Sequence, residues 1–134
     1  MRAENLHLTF AFIGTLEETD ASRVASACSA FAFEAFDWQV DSIGFFARPR
    51  VLWAGGPLLP ALEELAARVR SMLDRLEVSY DRKPFVPHVT LLRDVKSFDG
   101  EASLVPPLRW RIADVALFKS TQDERGSRYL RVDA

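Results

Sequence analysis

The sequence predicts an α+β fold made of two similar halves. A short phrase of the form His-x-Thr, here called the HxT phrase, occurs twice, as HLTF at residues 7–10 and as HVTL at residues 88–91. Each copy opens an apolar run that alternates as a β-strand does, and further strand-like runs follow each copy. Between the two copies, apolar residues recur at helical spacing. These observations predict helices accompanied by antiparallel strands.

The composition is that of one globular domain spanning residues 1–134. Of its 134 residues, 49% are hydrophobic and 27% are charged, and a chain of this length removes roughly two thirds of its unfolded surface from water on folding. The start of the chain lacks the apolar core of a signal peptide. A single cysteine, Cys28, excludes an internal disulfide and fits a cytoplasmic location. The net charge of −2 argues against binding duplex DNA through its phosphates.

The first half begins with a predicted strand over residues 6–13, which puts His7 and Thr9 on one face and a leucine and phenylalanine face toward the core. A helix of small residues is predicted to begin at Thr19 or Asp20 and to run to about residue 31. The remaining predicted elements of this half are a strand over 34–40, an aromatic turn at Phe45 and Phe46, and a strand over 51–54 that closes an antiparallel hairpin.

The second half begins with the most regular pattern in the chain. Apolar residues at three- and four-residue steps predict an amphipathic helix over 60–77, with Pro60 in its first turn. A loop with two prolines leads to a predicted strand over 88–92. The remaining predicted segments are a loop over 96–107, a strand over 108–119 with a bulge near Ala113, a turn over 121–126, and a strand over 127–132 that pairs back on its predecessor.

The two HxT phrases contain both histidines of the protein. In a strand, residues i and i+2 point to the same face, so each imidazole has a threonine hydroxyl beside it. Histidine exchanges protons near neutral pH, and two of them suffice for acid and base catalysis at two atoms of one substrate. One such phrase arises easily by chance, whereas two in corresponding places favour a shared site. By symmetry, either histidine can be the acid.

Other side chains have both a functional and a structural interpretation. Cationic loop residues can steer RNA or simply be solvated, and exposed rings can stack on a base or pack in the hairpin. Cys28 is predicted to be a buried apolar residue and not a nucleophile. No residues have metal-ligand spacing, and no glycine-rich phosphate loop precedes a helix. The cations are Arg48, Arg50, Arg82 and Lys83, and the rings are Phe45, Phe46 and Tyr129.

The ordered arrangement of these motifs resembles the 2H phosphoesterase superfamily. Within it, the chain is similar to the RNA 2′,3′-cyclic phosphodiesterases, also called 2′-5′ RNA ligases. The resemblance covers nearly the whole chain. It rests on ENLHLT at 4–9, RPRVLW at 48–53, PHVTLLR at 87–93, FKS at 118–120, Gly126 and Tyr129.

This resemblance implies a bilobal fold in which two antiparallel sheets with flanking helices surround a central cleft. It implies hydrolysis of 2′,3′-cyclic phosphate at RNA 3′ ends to a 2′-phosphomonoester, without metal or cofactor, with minor 2′-5′ RNA ligase activity. RNA 3′ ends or small cyclic-phosphate nucleotides are then the partners. The alternatives are a non-catalytic module that binds a nucleotide or RNA end, and a 2H enzyme for another small cyclic phosphate.

The resemblance also implies a role for each site residue. His7 corresponds to the proton donor to the departing 3′ oxygen, and His88 to the proton acceptor from water. Thr9 and Thr90 correspond to hydroxyl donors to the non-bridging oxygens, and Arg93 to an arginine that binds the phosphate.

The chain departs from the family's pattern at its start, because members usually have a strand and a helix before the first HxT phrase. The first lobe is therefore expected to lack these elements. A truncated or misassigned start, an incomplete lobe and a strand supplied by a partner chain all fit this pattern. An uncovered sheet edge also allows a homodimer.

Overall fold

The computed structural model describes residues 6–98, 102–124 and 126–133. The Glu4-Asn5 part of the family resemblance lies outside these residues. The described elements are, in chain order, α1 (Glu18–Ser29), β1 (Phe36–Phe46), β2 (Val51–Gly55), α2 (Pro60–Arg75), β3 (His88–Leu92), β4 (Ala102–Ile112), β5 (Leu117–Asp123) and β6 (Gly126–Val132).

The strands form two antiparallel sheets. The four-stranded sheet has the order β3-β2-β1-β4, and the two-stranded sheet pairs β5 with β6. The predicted α+β class, the β1–β2 hairpin and the pairing of the last two strands are therefore confirmed. β3 lies at one edge of the larger sheet, so the second HxT phrase lies where a further segment of chain can pair with it.

Both predicted helices are present, and α2 provides much of the core. Its apolar side chains are buried at three- and four-residue steps, namely Leu62, Leu65, Ala66, Val69, Met72 and Leu73. Burial of each large aliphatic side chain contributes about 1.5–3 kcal/mol. α1 begins at Glu18, slightly before the predicted start, and buries Val24, Ala25 and Cys28.

Trp38 of β1 is the largest fully buried side chain among the described residues. Its indole Nε1 donates a hydrogen bond to the Pro57 carbonyl at 2.9 Å, so the polar atom of this ring is satisfied inside the core. Its ring centroid lies 6.0 Å from that of Trp110 on β4. Trp38 thus joins the centre of the four-stranded sheet to the segment after β2.

The predicted strand over residues 6–13 is wrong. Within the part of the chain that the structure describes, this segment makes one antiparallel bridge, between Leu8 and Val89. Two of its other carbonyls accept hydrogen bonds from outside any strand. The Phe10 carbonyl accepts from the Arg70 side chain at 3.1 Å, and the Phe12 carbonyl accepts from the Asp81 backbone N–H at 2.7 Å. The alternating sequence indicated an extended chain. Hydrogen bonds from Arg70 and Asp81 take the place of the strand-to-strand backbone hydrogen bonds that a β-strand would make here.

The predicted loop over 96–107 is also wrong in part, because β4 begins at Ala102. Two prolines made this stretch look unlike a strand. β4 is the outer strand of the sheet, and proline is tolerated at such an edge because its missing N–H faces away from the ladder. The register against β1 shifts between Val40 and Ser42, which lets the proline-containing part of β4 bulge.

The predicted continuous strand over 108–119 consists of two strands in different sheets. β4 ends at Ile112 and β5 begins at Leu117. The change of phase near Ala113, interpreted as a bulge, instead marks the crossing between the sheets. The predicted aromatic turn is wrong as well, since Phe45 and Phe46 belong to β1 and the turn occupies residues 47–50.

Among the described residues, no helix is long and apolar enough to cross a membrane. The free edge of the four-stranded sheet is β4, which carries the two prolines and the register shift. Such irregularities hinder pairing with another strand. A homodimer through a sheet edge stays a prediction.

Candidate functional site

β3 presents the second HxT phrase at the edge of the four-stranded sheet. His88 and Thr90 are half-buried, whereas Val89 between them is buried in the core. Because side chains alternate along a strand, His88 and Thr90 share the face opposite to Val89. Their partners on β2 are Gly55 and Trp53, respectively. The β2–β3 ladder therefore fixes the positions of both side chains.

The first HxT phrase meets the second through the bridge between Leu8 and Val89. In this antiparallel register, His7 is the neighbour of Thr90, and Thr9 is the neighbour of His88. Opposite residues of an antiparallel pair have Cα atoms about 4.5–5.5 Å apart, and diagonal neighbours lie about 7–8 Å apart. His7 and His88 are diagonal neighbours, a spacing that suits two groups on either side of one phosphate.

The register also determines which face the four side chains share. Leu8 and Val89 are opposite one another and both pack toward the core. The residues on either side of them therefore point to the other face. His7, Thr9, His88 and Thr90 thus occupy one surface, which we call the HxT surface. The sequence predicted that each pair shares a face, and the bridge brings the two pairs together.

Arg70 of α2 connects the segments that carry the two HxT phrases. Its Nε donates to the Phe10 carbonyl at 3.1 Å, and its Nη1 donates to the Lys83 carbonyl at 2.9 Å. The guanidinium also lies over the Tyr80 ring, 5.5 Å from its centroid. Sequence reasoning missed this residue, because its position on the charged side of the α2 pattern gave no signal of a partner 60 residues away.

The His88 ring has a defined orientation. Its Nδ1 lies 2.7 Å from the Val86 carbonyl oxygen. A carbonyl oxygen only accepts hydrogen bonds, so Nδ1 carries the proton in this contact. In the neutral ring, Nε2 then has a free lone pair and accepts a proton. This contact fixes the tautomer of the neutral His88 ring, which the sequence of the phrase does not.

An aromatic ring packs against each histidine. The His7 ring centroid lies 4.6 Å from that of Tyr129 on β6, with an interplanar angle of 51°. The His88 centroid lies 5.2 Å from that of Phe46 on β1, with an interplanar angle of 86°. Phe46 and Tyr129 were predicted either to stack on a base or to pack in the protein, and both contact a histidine. The two-stranded sheet reaches the site through Tyr129.

Trp53 packs against Phe46, the ring that contacts His88. Its ring centroid is 5.4 Å from that of Phe46, and its ring covers Gly44, where any Cβ would collide with it. Gly55, opposite His88, is also restricted, because a Cβ there would lie 2.8 Å from the Pro87 carbonyl oxygen. Within the described part of the chain, the buried Trp53 Nε1 has no hydrogen-bond partner. Sequence reasoning assigned Trp53 only to a short apolar strand.

Arg93 is exposed and follows directly after the end of β3. In a regular strand, its side chain lies on the face opposite to His88. The strand ends at Leu92, and the β2–β3 register shifts just before that residue, so the regular alternation does not extend to Arg93. The alternative interpretation paired Arg93 with Asp94, but Asp94 pairs with Arg50 at 3.9 Å.

Two further expectations concern residues away from the HxT surface. Cys28 is buried in α1, as predicted, and burial raises the pKa of its thiol, while the charge of Arg131 acts in the opposite direction. Its neutral thiol form is therefore favoured at neutral pH. In residues 6–98, 102–124 and 126–133, no group of three or more His, Cys, Asp or Glu side chains is arranged to hold a metal ion.

Comparisons with known proteins identify the family to which this sequence is similar. The family model described as LigT like Phosphoesterase matches residues 1–53 and 57–129. The RNA 2′,3′-cyclic phosphodiesterase of Escherichia coli strain K12 is 33% identical over 132 residues, which cover 95% of this chain and 73% of that protein. The protein of the same name from Thermotoga maritima is 31% identical, over 94% of this chain and 72% of that protein.

Solved structures give the same result. E. coli LigT in complex with 3′-AMP superimposes with a TM-score of 0.77 at 30% identity, over 99% of this chain and 77% of that chain. E. coli LigT in the apo form superimposes with a TM-score of 0.80 at 28% identity, over 99% of this chain and 76% of that chain.

Proposed function

Because this chain belongs to the LigT-like phosphoesterase family, we propose that it hydrolyses the 2′,3′-cyclic phosphate of RNA 3′ ends to a 2′-phosphomonoester. The predicted family is confirmed, and with it the prediction of an enzyme of the phosphoesterase class. The names of the relatives support the reaction. The complex of E. coli LigT with 3′-AMP supports a nucleotide as part of the substrate.

The observation that carries this proposal is the antiparallel bridge between Leu8 and Val89. Hydrolysis of a phosphodiester requires one group that removes a proton from water and another that protonates the departing oxygen. These groups act from opposite sides of the phosphorus. The bridge supports this arrangement because it makes His7 and His88 diagonal neighbours on one surface.

In the proposed reaction, His88 is the base. The contact of its Nδ1 with the Val86 carbonyl leaves Nε2 able to accept a proton from the attacking water. The water oxygen bonds to phosphorus while the bond from phosphorus to the 3′ oxygen breaks. His7 begins protonated and gives its proton to the 3′ oxygen. The products are a 2′-phosphomonoester and a 3′-hydroxyl, and the proton taken by His88 replaces the one lost by His7 through solvent.

Thr9 and Thr90 donate hydrogen bonds to the two non-bridging phosphate oxygens. Each hydroxyl lies beside the histidine of the other phrase in the antiparallel register. Fixed donors of this kind stabilise the charge that develops on these oxygens in the transition state. Arg93 supplies a positive charge from the end of β3, and a guanidinium can bind two phosphate oxygens at once. The proposal includes no metal and no cofactor.

The same two groups can act on a second nucleophile. If the 5′-hydroxyl of another RNA attacks the phosphorus in place of water, His88 takes its proton, the bond from phosphorus to the 3′ oxygen breaks, and His7 protonates that oxygen. The product is a 2′-5′ phosphodiester and a 3′-hydroxyl, which is the minor RNA ligase activity included in the proposal. Water is at far higher concentration than an RNA end, so hydrolysis dominates. The proposed partners are RNA 3′ ends or small cyclic-phosphate nucleotides, with the protein acting in the cytoplasm.

The test uses an RNA oligonucleotide that ends in a 2′,3′-cyclic phosphate, incubated with purified protein in the presence of EDTA. The expected product is the 2′-phosphate, identified by phosphorus NMR against 2′- and 3′-phosphate standards. An oligonucleotide that ends in a 3′-phosphate serves as a substrate control and stays unchanged. Binding without turnover, or formation of the 3′-phosphate alone, contradicts the proposal.

A further inference from the structure

Two segments distant in sequence join at one end of the four-stranded sheet. We call them together the basic clip, which consists of residues 47–50 and 93–96. The Val95 backbone N–H donates to the Arg50 carbonyl at 3.1 Å. The Arg50 guanidinium lies 3.9 Å from a carboxylate oxygen of Asp94. The turn after β1 and the segment after β3 therefore form one surface.

The backbone of the basic clip is unusual on both sides. Arg50 has a φ of 65° and Asp94 a φ of 59°, so both adopt the left-handed conformation. This conformation costs a residue such as Arg50 about 1–2 kcal/mol, whereas aspartate adopts it more readily. Glycine would relieve the strain at Arg50, yet a charged residue occupies that position. Strained backbone held by its surroundings is found preferentially at ligand-binding sites.

The basic clip is strongly cationic in a protein whose net charge is −2. Four of its side chains carry a positive charge and are exposed, and within the described residues 47–50 and 93–96 the one carboxylate is that of Asp94. The Asp94 side chain is itself 88% exposed, so its attraction for Arg50 is weakened by water. The four cations are Arg48, Arg50, Arg93 and Lys96.

The basic clip borders the HxT surface. Phe46 is the last residue of β1, directly before the clip, and its ring contacts His88. Arg93 follows β3, the strand that carries His88 and Thr90. A chain of nucleotides whose last phosphate lies between the two histidines can therefore continue over this cationic surface.

We propose that Arg48, Arg50 and Lys96 of the basic clip bind the backbone phosphates of the nucleotides that precede the cyclic end, while Arg93 binds the reacting phosphate, so that the preferred substrate is an oligonucleotide and not a mononucleotide. This inference rests on the proposed function and adds a second region of contact to it. Contacts with phosphates position a nucleic acid without reading its sequence. The basic clip is therefore expected to favour longer oligonucleotides over mononucleotides, without a preference for a particular base.

The experiment compares two substrates, a nucleoside 2′,3′-cyclic monophosphate and an RNA octamer with a 2′,3′-cyclic phosphate end. The test variant replaces Arg48 and Arg50 with glutamine. Arg93 stays unchanged because we propose that it binds the reacting phosphate. The matched control replaces Arg75 on α2 and Arg109 on β4 with glutamine, since both are exposed and lie outside the clip.

For the octamer, the Arg48→Gln/Arg50→Gln variant is expected to lower kcat/KM about tenfold at low salt, because two phosphate contacts are lost. The slope of log(kcat/KM) against log(salt) becomes shallower by about 1.4, or about 0.7 for each lost contact with a single strand. The mononucleotide is hydrolysed at an unchanged rate. The control variant behaves as wild type on both substrates. An equal loss on both substrates, or an unchanged salt slope, overturns the inference.

Asp94→Asn separates binding from a purely structural role of the clip. Asparagine tolerates the left-handed conformation of this residue, while its neutral side chain removes the Arg50 ion pair. The inference predicts equal or higher kcat/KM on the octamer, because the surface becomes more positive. A clip that only supports the fold predicts a loss on both substrates.

A failure of the proposed function can be distinguished from a failure of this inference. If wild-type protein hydrolyses neither substrate, the proposed function fails. Binding of a fluorescent RNA octamer by anisotropy then tests the basic clip alone. Weaker binding by the Arg48→Gln/Arg50→Gln variant, with wild-type binding by the control, supports the inference. Equal binding by all three proteins overturns it.

Discussion

The two HxT phrases have the same chemistry but different structural support. The second is part of β3, which pairs with β2 at several positions. Among the described residues, the first pairs with the rest of the protein at one bridge, between Leu8 and Val89. Beyond that bridge, its segment is held by the Arg70 side chain and by the Asp81 backbone N–H.

Two similar histidine–threonine pairs are therefore positioned in different ways. The β2–β3 backbone hydrogen bonds position the second pair, and a bridge together with the Arg70 side chain positions the first. A strand in a sheet is held by repeated backbone hydrogen bonds, so the loss of one side chain changes its position little. A segment held by one described bridge, the Arg70 guanidinium and the Asp81 N–H has fewer backbone hydrogen bonds, so it depends more on each of these contacts. We therefore expect substitutions outside the HxT surface to displace His7 more readily than His88.

The largest expected effect comes from the histidines themselves. His7→Gln and His88→Asn each remove one proton-transfer group, and each is expected to lower kcat by about 10²–10⁴-fold. The asparagine retains a donor for the Val86 carbonyl, which protects the local structure. Turnover is measured on the cyclic-phosphate oligonucleotide, with circular dichroism as the control for folding. A fully active variant of either histidine would contradict a site shared by both phrases.

The next effect concerns the hydroxyls. Thr9→Val and Thr90→Val keep the shape of the side chain but remove a donor to a phosphate oxygen, and each is expected to lower kcat about 10²-fold. Serine at the same positions restores the hydroxyl and serves as the control. Similar losses at the two positions support equivalent contacts with the phosphate. A loss at Thr90 alone would mean that the first phrase contributes only its histidine.

A smaller effect is expected from Arg70, whose side chain bonds to the segments that carry the two HxT phrases. Arg70→Met removes the donors to the Phe10 and Lys83 carbonyls, and the resulting displacement of His7 is expected to lower kcat about tenfold or more, since a shift of about 1 Å can cost 10²-fold. KM is expected to change less than kcat, because the hydroxyls and cations that bind the phosphate are retained.

The matched control is Arg68→Met on the same helix. The Arg68 guanidinium also donates to a backbone carbonyl, that of Ala32 at 2.7 Å, and lies over the Phe31 ring. Both variants lose a similar set of contacts, but Arg68 does not bond to the segments that carry the HxT phrases. Comparable losses of kcat in the two variants, measured beside their thermal unfolding, would show that Arg70 acts only through stability.

The smallest effect is expected from the rings that contact the histidines. Phe46→Leu and Tyr129→Leu remove aromatic contacts of about 0.5–1.5 kcal/mol, and each is expected to lower kcat a few-fold. Tyr129→Leu has the larger effect if the less supported His7 depends more on its neighbour. Tyr129→Phe keeps the ring and isolates the contribution of the hydroxyl. An equal effect of the two leucine variants would remove this distinction between the phrases.

Local patterns determined much of the fold. α2 and the β1–β2 hairpin were predictable because their apolar residues repeat with the period of a helix or a strand, and β3 because its alternating run follows a proline loop. The pairing of β5 with β6 followed from a turn between two adjacent runs. The family was recognisable because its motifs are short, ordered and carried by these regular elements.

The tertiary structure decided the remainder, because the determining contacts link residues far apart in sequence. Residues 102–107 form a strand because an edge position tolerates the prolines, and residues 6–13 do not because other partners bind their carbonyls. The sequence by itself determined which side chains the candidate site contains. The bridge between Leu8 and Val89 decided that they meet on one surface, and the Val86 carbonyl decided which nitrogen of His88 carries its proton.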